Sequence, residues 1–166
     1  MLLRNRLSLE SQSDRDYEQT LLIDAERKGV AWAVGNLSTV EAMGEYVWIL
    51  DDDDECAMSD FVAGLKKIVE SHTSPDVVIV RMDHGEPLGV LPANGDWGCE
   101  PRHGGIGTSA FIVRRDIWNL YRSHWQACYH GDYLFVRDLW DCDLNFVFWD
   151  IVASRVQRAL SGGAPE

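Results

Sequence analysis

The sequence predicts an α/β layered domain built on a mainly parallel central sheet. Two observations carry this expectation. Short apolar runs of strand character alternate with segments of helical period through the first half of the chain, the pattern of strand–helix–strand units. Two of those runs, "TLLID" and "YVWILD", end directly in aspartate. In such sheets ligands bind beyond the carboxyl ends of the strands, so Asp24 and Asp51 stand where a site is expected.

Each element follows from its own pattern. "LLRNRLSLES" predicts a helix over Leu2–Ser11, and Thr20–Asp24 a compact apolar strand. Asn36–Met43 reads as a helix with Gly44 suited to its C-terminal cap. Tyr46–Leu50 is apolar on both faces, as in the middle of a covered sheet. Ser59 is a good N-cap with Asp60 in the first helical turn, and Phe61, Leu65, Ile68 and Val69 then share a face. Asp76–Met82 is a second buried strand. The Gly- and Pro-rich segment Asp83–Thr108 predicts a long loop with room for a short hairpin. Ser109–Arg115 reads as a strand, Asp116–Arg122 as a helix capped by Asp116, Gly131–Trp140 as a helix and Asn145–Val156 as a late strand. One domain over residues 1–160 is expected, followed by a flexible tail, "SGGAPE", at 161–166.

Composition narrows the function. A chain of 166 residues with 46% hydrophobic content supports one domain with a real core. A net charge of −12 disfavours nucleic acid and an anionic membrane surface, both of which call for clustered Lys and Arg. An anionic small ligand then needs a metal ion as mediator. There is no CxxC pair, no signal-peptide pattern and no apolar run long enough to span a bilayer, so a reduced, cytoplasmic protein with free thiols is expected. Cys99, His103, Cys128 and His130 match no standard zinc spacing and read as ordinary residues.

The most informative stretch is "YVWILDDDDECAMSD", Tyr46–Asp60, where an apolar strand runs into five consecutive acids. Like charges packed this closely repel. Side chains alternate along an extended segment, so Asp51 and Asp53 are expected to point one way and Asp52 the other. Two neighbouring carboxylates are costly unless a cation lies between them. Oxygen-only ligands suit Mg²⁺ or Mn²⁺, and magnesium is typically held by one or two carboxylates plus phosphate oxygens. The plain alternative is a solvated acidic turn; the absence of any spacer after the strand speaks against it. The run resembles a Walker B strand, but no GxxxxGK[ST] accompanies it. An EF-hand loop needs Gly at its sixth position, where Cys56 stands. The Thr or Val that follows the DxD of aspartyl-nucleophile phosphatases is also missing.

Taken together, these segments resemble the family-2 glycosyltransferases of the GT-A fold. Gln12–Glu18 matches a "Q-(T/S)-x-x-D-(F/Y)-E" turn leading to a strand that ends at Asp24. Ala42–Asp54 matches "A-x-G-E-Y", apolar residues and an "L-D-x-D-D" metal motif. "GGIGTSAFIVRRDIW" resembles the loop and strand flanking the acceptor site, and "HGDYLF" sits where the family carries a Glu-Asp pair at a helix start. The resemblance runs from about Leu3 to Arg158. It implies metal-dependent, inverting transfer of a sugar from a nucleotide-diphosphate sugar to a hydroxyl acceptor (a glycan, lipid or small molecule). It implies Asp51 and Asp53 as ligands of Mn²⁺ or Mg²⁺, Asp24, Asp51 and Asp52 as contacts to the nucleotide donor, and Asp132 as the general base. For Asp132 a plain helix-start acid is the competing reading. Asp54 and Glu55 read as supporting or solvated acids. His84, His103 and His130 are candidates for a third metal ligand or an acceptor contact, with surface histidines as the alternative. Trp32, Trp48, Trp118 and Trp140 are expected in the core, whereas Trp97, in "NGDWGCEPRHGG", stacks on a sugar, closes as a lid or anchors its loop. Two departures stand out. The family's first strand, with its "P-x-(Y/H)-N-R"-like turn, is missing, which implies a shortened form with an uncovered sheet edge near Leu21–Ile23 and a tendency to form homo-oligomers. Gly131 replaces the family's Glu. Both departures favour the alternative, a non-catalytic GT-A-like module that binds metal or nucleotide.

Overall fold

The computed structural model describes residues 2–157, so the expected tail at 161–166 lies outside the described residues. Among these residues five α-helices are formed: α1 (Leu2–Glu10), α2 (Val30–Leu37), α3 (Phe61–Ser71), α4 (Arg115–Tyr121) and α5 (Gly131–Asp141). Six strands are formed: β1 (Tyr46–Trp48), β2 (Asp54–Cys56), β3 (Val77–Asp83), β4 (Val90–Leu91), β5 (Phe111–Arg114) and β6 (Phe146–Val156). They make one sheet in the order β1-β5-β3-β6-β2, with β4 attached to the end of β3 as the short hairpin expected in the long loop.

The α/β layered class holds, but the sheet is mixed rather than mainly parallel. Only β3 and β6 pair in parallel, Val77 opposite Phe146 through to Asp83 opposite Arg155. The β1/β5, β3/β5, β2/β6 and β3/β4 pairs are antiparallel. Because β5 is inserted between β1 and β3, those two strands and β6 still run in one direction. Their carboxyl ends open on the same side of the sheet, the side on which ligands bind in α/β folds.

The central strand explains the layering. Val77 and Ile79 of β3 face one core, with Phe111, Val113, Trp118, Phe135 and Leu139 from β5, α4 and α5. Val78 and Val80 face the other, with Phe61 of α3, Cys56 and Ile112, and with Leu65, Ile68, Trp48 and Trp149 packed around them. Period-two alternation thus buries β3 on both faces between two helical layers.

Several expectations are corrected. Thr20–Asp24 forms no strand: these residues are irregular, and Leu21, Leu22 and Ile23 are exposed. The sheet edges are β1 and β2 instead, so Tyr46–Trp48 is a half-buried edge strand and not a central one. The helix expected at Asn36–Met43 lies earlier, at Val30–Leu37. It begins after Gly29, whose φ of 90° suits glycine. It ends where the Ser38 and Thr39 hydroxyls donate to the carbonyls of Gly35 and Asn36, both at 2.7 Å, the competition that makes these residues poor helix interiors. The N-cap of α3 is Asp60 rather than Ser59. Asp116 lies inside the first turn of α4, after Arg114 at the cap, and pairs with that arginine at 2.6 Å. All four cysteines are free thiols. Among the described residues no helix is long and apolar enough to cross a membrane.

Candidate active site at the acidic turn

The four aspartates follow β1 not as an extended segment but as a turn. The Asp54 N–H donates to the Asp51 carbonyl at 3.0 Å, which places Asp52 and Asp53 at the bend. The strand alternation expected to align Asp51 with Asp53 therefore does not apply; a closed turn sets the direction of each side chain.

Three neighbours fix this turn. The buried Asn5 of α1 donates from Nδ2 to the Asp51 carbonyl at 3.0 Å, and its own Oδ1 accepts from Gln19 at 3.1 Å. Gln157, just beyond β6, donates its backbone N–H to the Asp53 carbonyl at 2.5 Å and its side-chain amide to the Asp54 carbonyl at 3.0 Å. The Asp54 side chain turns inward, 2% exposed, and accepts from Ser109 Oγ at 2.8 Å; Ser109 in turn meets Ser154 Oγ at 2.7 Å. With the backbone held, Asp51 and Asp52 remain exposed and Asp53 half-buried.

The motif turn downstream of α1 is a second brace. Gln12 is buried, donates to the Met58 carbonyl at 2.5 Å and accepts from the Val62 N–H at 3.1 Å. Glu18 accepts from the Met43 and Gly44 N–H groups, at 2.6 and 3.3 Å, just ahead of β1.

Charge is concentrated here. Asp51 is exposed as a residue, yet its carboxyl is crowded by protein atoms. That confinement, ahead of the negative charges of Asp54, Asp53, Asp132 and Asp52, pushes its carboxyl up to about 7. Burial likewise raises Asp54 to about 6 against the opposing hydrogen bond from Ser109. The charge of Asp132 is near enough to contribute to the rise at Asp51. Asp132 lies in the first turn of α5 and accepts from the Tyr133 N–H at 2.7 Å. Burial raises its carboxyl above the ordinary range, opposed by backbone N–H groups and by His130 and His103. His84, after β3, has a buried Nε2 with no partner; burial lowers its basicity although Asp83 and Asp53 lie near.

Asp24 is positioned by a loop rather than by a strand end. Backbone N–H groups of Lys28, Gly29 and Glu26 favour its charged form and hold its proton affinity below the ordinary carboxylate range. Gly29 makes the well-formed bond, to Oδ2 at 2.7 Å, while Oδ1 is buried with no partner. Trp97 makes the contacts of a loop anchor: the Arg81 guanidinium lies over its ring at 4.1 Å and Phe148 meets it edge-on at 5.4 Å.

Sequence reading missed Asn5, Ser109, Ser154 and Gln157, which brace the turn. Their signal was faint: isolated polar residues inside otherwise apolar or helical segments. Among the described residues no three His, Cys, Asp or Glu side chains converge as a closed cation site. The carboxylates of Asp51, Asp52 and Asp53 are oxygen donors of the type that hard cations take.

No protein-family model matches the chain, and no curated protein sequence matches it. Among solved structures, S. aureus TarS 1-349 in complex with UDP is similar, with a TM-score of 0.62 at 15% identity. The match covers 95% of this chain and 56% of that one, so the chain spans little more than half the length of the structure it resembles. The chain thus has a GT-A-like α/β fold.

Proposed function

We propose that this chain transfers a sugar from a nucleoside-diphosphate sugar to a hydroxyl acceptor. The observation that carries the reading is the gathering of acids at the end of β1: Asp51, Asp52 and Asp53 stand at a braced turn, and the charge of Asp132 at the start of α5 is near enough to bear on Asp51. A donor's diphosphate and an acceptor's hydroxyl need such a pairing, one group of oxygens for the leaving group and a separate base for the nucleophile. The UDP in the structurally similar TarS complex supports a nucleoside diphosphate as ligand, with UDP the first to test.

In this reading Asp51 and Asp53 would hold Mn²⁺ or Mg²⁺ at the donor's diphosphate, and the ion would supply positive charge to stabilise that leaving group. Asp24 receives a base N–H at its carboxylate, and Asp52, exposed at the bend, completes the donor contacts. Asp132 takes the proton of the acceptor hydroxyl as its oxygen attacks C1 and the C1–phosphate bond breaks, with inversion. The raised proton affinity of Asp132 suits a base that must hold that proton.

The test is release of nucleoside diphosphate. The full chain is incubated with UDP-, GDP-, CDP- and dTDP-sugars, with Mn²⁺ or with EDTA. Metal-dependent release from at least one donor is expected. If no donor turns over while Mn²⁺ and UDP still bind, the chain is a binding module on the same fold.

A further inference from the structure

Four rings gather around the candidate base. His103 and His130 meet edge to face with centroids 4.0 Å apart. Tyr133 meets His103 at 5.4 Å, and Tyr129 meets His130 at 5.2 Å. The cluster joins two segments: Tyr129, His130 and Tyr133 lead into or open α5, whereas His103 comes from the Gly-rich loop. That loop is held in shape. Arg102 pairs with Asp96 at 3.0 Å, the Gly105 N–H closes a turn onto the Arg102 carbonyl at 2.9 Å, and Gly104 takes the φ of 72° that the turn requires.

Tyr133 packs against the core, but the other three rings do not. Tyr129 is 81% exposed, and His103 and His130 are exposed as well. Packing therefore gives no reason for an aromatic side chain at 129. A large exposed ring with a polar tip, beside two imidazoles and a carboxylate, has the composition of a surface that takes a ligand with one apolar face and a hydroxyl rim. A pyranose is such a ligand: its axial C–H groups form a flat apolar face, and its hydroxyls reach outward to imidazole nitrogens and carboxylate oxygens. A lipid tail needs an apolar groove, which this open polar-edged cluster does not offer, and an acyclic polyol has no fixed C–H face to stack.

We propose that Tyr129, His103 and His130 form a saccharide subsite beside Asp132, so that the acceptor is a sugar presented by its ring face. The acceptor role rests on the transferase reading; the binding itself does not.

The experiment is saturation-transfer difference NMR on the full chain with methyl pyranosides of glucose, galactose, mannose and N-acetylglucosamine, and with glycerol as the acyclic control. Each probe is present at about 10 mM, where weak contacts are populated. Transfer to the ring C–H protons of at least one pyranoside is expected, with none to glycerol. Tyr129→Ala and His103→Ala should each weaken the contact about three- to tenfold, the scale of one ring interaction, and Tyr129→Phe should retain it. Tyr129 is too exposed for its removal to unfold the chain, so a lost signal there reports the subsite. Absence of transfer to every pyranoside, or transfer unchanged in both alanine variants, overturns the subsite. Stabilisation by Mn²⁺ and UDP, measured on the same samples, reads the donor side separately. If that is missing while the Tyr129-dependent saccharide signal is present, the transferase reading fails and the subsite stands.

Discussion

Ser109 donates its hydroxyl to the buried carboxylate of Asp54 at 2.8 Å, tying the acidic turn to the Gly-rich loop that leads into β5. This link makes the fourth aspartate of the run a brace and leaves the first three to face outward. Ser109→Ala strands a buried carboxylate, a loss of about 1–3 kcal/mol in stability. Asp54→Asn keeps an oxygen for Ser109 and carries no charge, so it should cost less than Ser109→Ala. Urea denaturation of the two variants checks the order; equal losses would mean that the link contributes nothing specific.

The raised carboxyl of Asp132 sets a pH dependence. A base acts deprotonated, so transfer should fall as pH drops through the raised value, with an acid limb above the ordinary aspartate range near about 4. The same shift enters stability with the opposite benefit. A carboxyl whose folded value exceeds its unfolded one contributes stability that is complete below about pH 4 and lost as pH rises through the folded value. Asp132→Asn should therefore lose transfer by about 10²–10⁴-fold and be at least as stable as the parent at alkaline pH. Transfer at the parent rate would reduce Asp132 to a helix-start acid.

Trp97 tests anchor against lid. Its ring carries Arg81, which is buried and also holds Asp150 at 2.5 Å. Trp97→Ala should lower stability by about 2 kcal/mol through lost packing and the lost cation–π contact. A variant with parent stability and altered turnover alone would restore the lid.

Gly64 sits in the middle of α3, where alanine ordinarily gains about 1 kcal/mol. Here a Cβ would lie 2.6 Å from Trp149 Cη2 and 2.7 Å from Cζ2, and that ring is stacked on Phe61. Overpacking costs about 1–3 kcal/mol, so Gly64→Ala should be net destabilising in a thermal melt despite its propensity; a stabilised variant would show that the ring yields freely.

How far the sequence was legible depended on how much each segment determines itself. Val77–Asp83, Phe111–Arg114 and α5 declare themselves by periodicity, because burial on one or both faces leaves few alternatives. Leu21–Ile23 has strand composition but no neighbouring strand, and strand character without a partner is not a strand. The acids were legible as a site, but their directions were not. Those depend on the Asp54-to-Asp51 hydrogen bond and on Asn5 and Gln157, 46 and 103 positions away from the groups they hold. Long-range polar contacts of that kind leave no periodic trace in a sequence. The juxtaposition of Asp51 and Asp132 was implied only through family resemblance.

The most direct measurement of the central claim is the thermal stability of the full chain with Mn²⁺ and UDP together, beside Asp53→Asn under the same conditions. Ligand binding to the folded state stabilises by about 2.7 kcal/mol at a hundredfold excess over Kd. The account predicts a clear upward shift in Tm for the parent that needs both Mn²⁺ and UDP and disappears in Asp53→Asn, whose apo form melts no lower than the parent because one of several crowded like charges is gone. A parent whose Tm does not respond to Mn²⁺ with UDP at millimolar concentrations, or an Asp53→Asn variant that responds as the parent does, would contradict it.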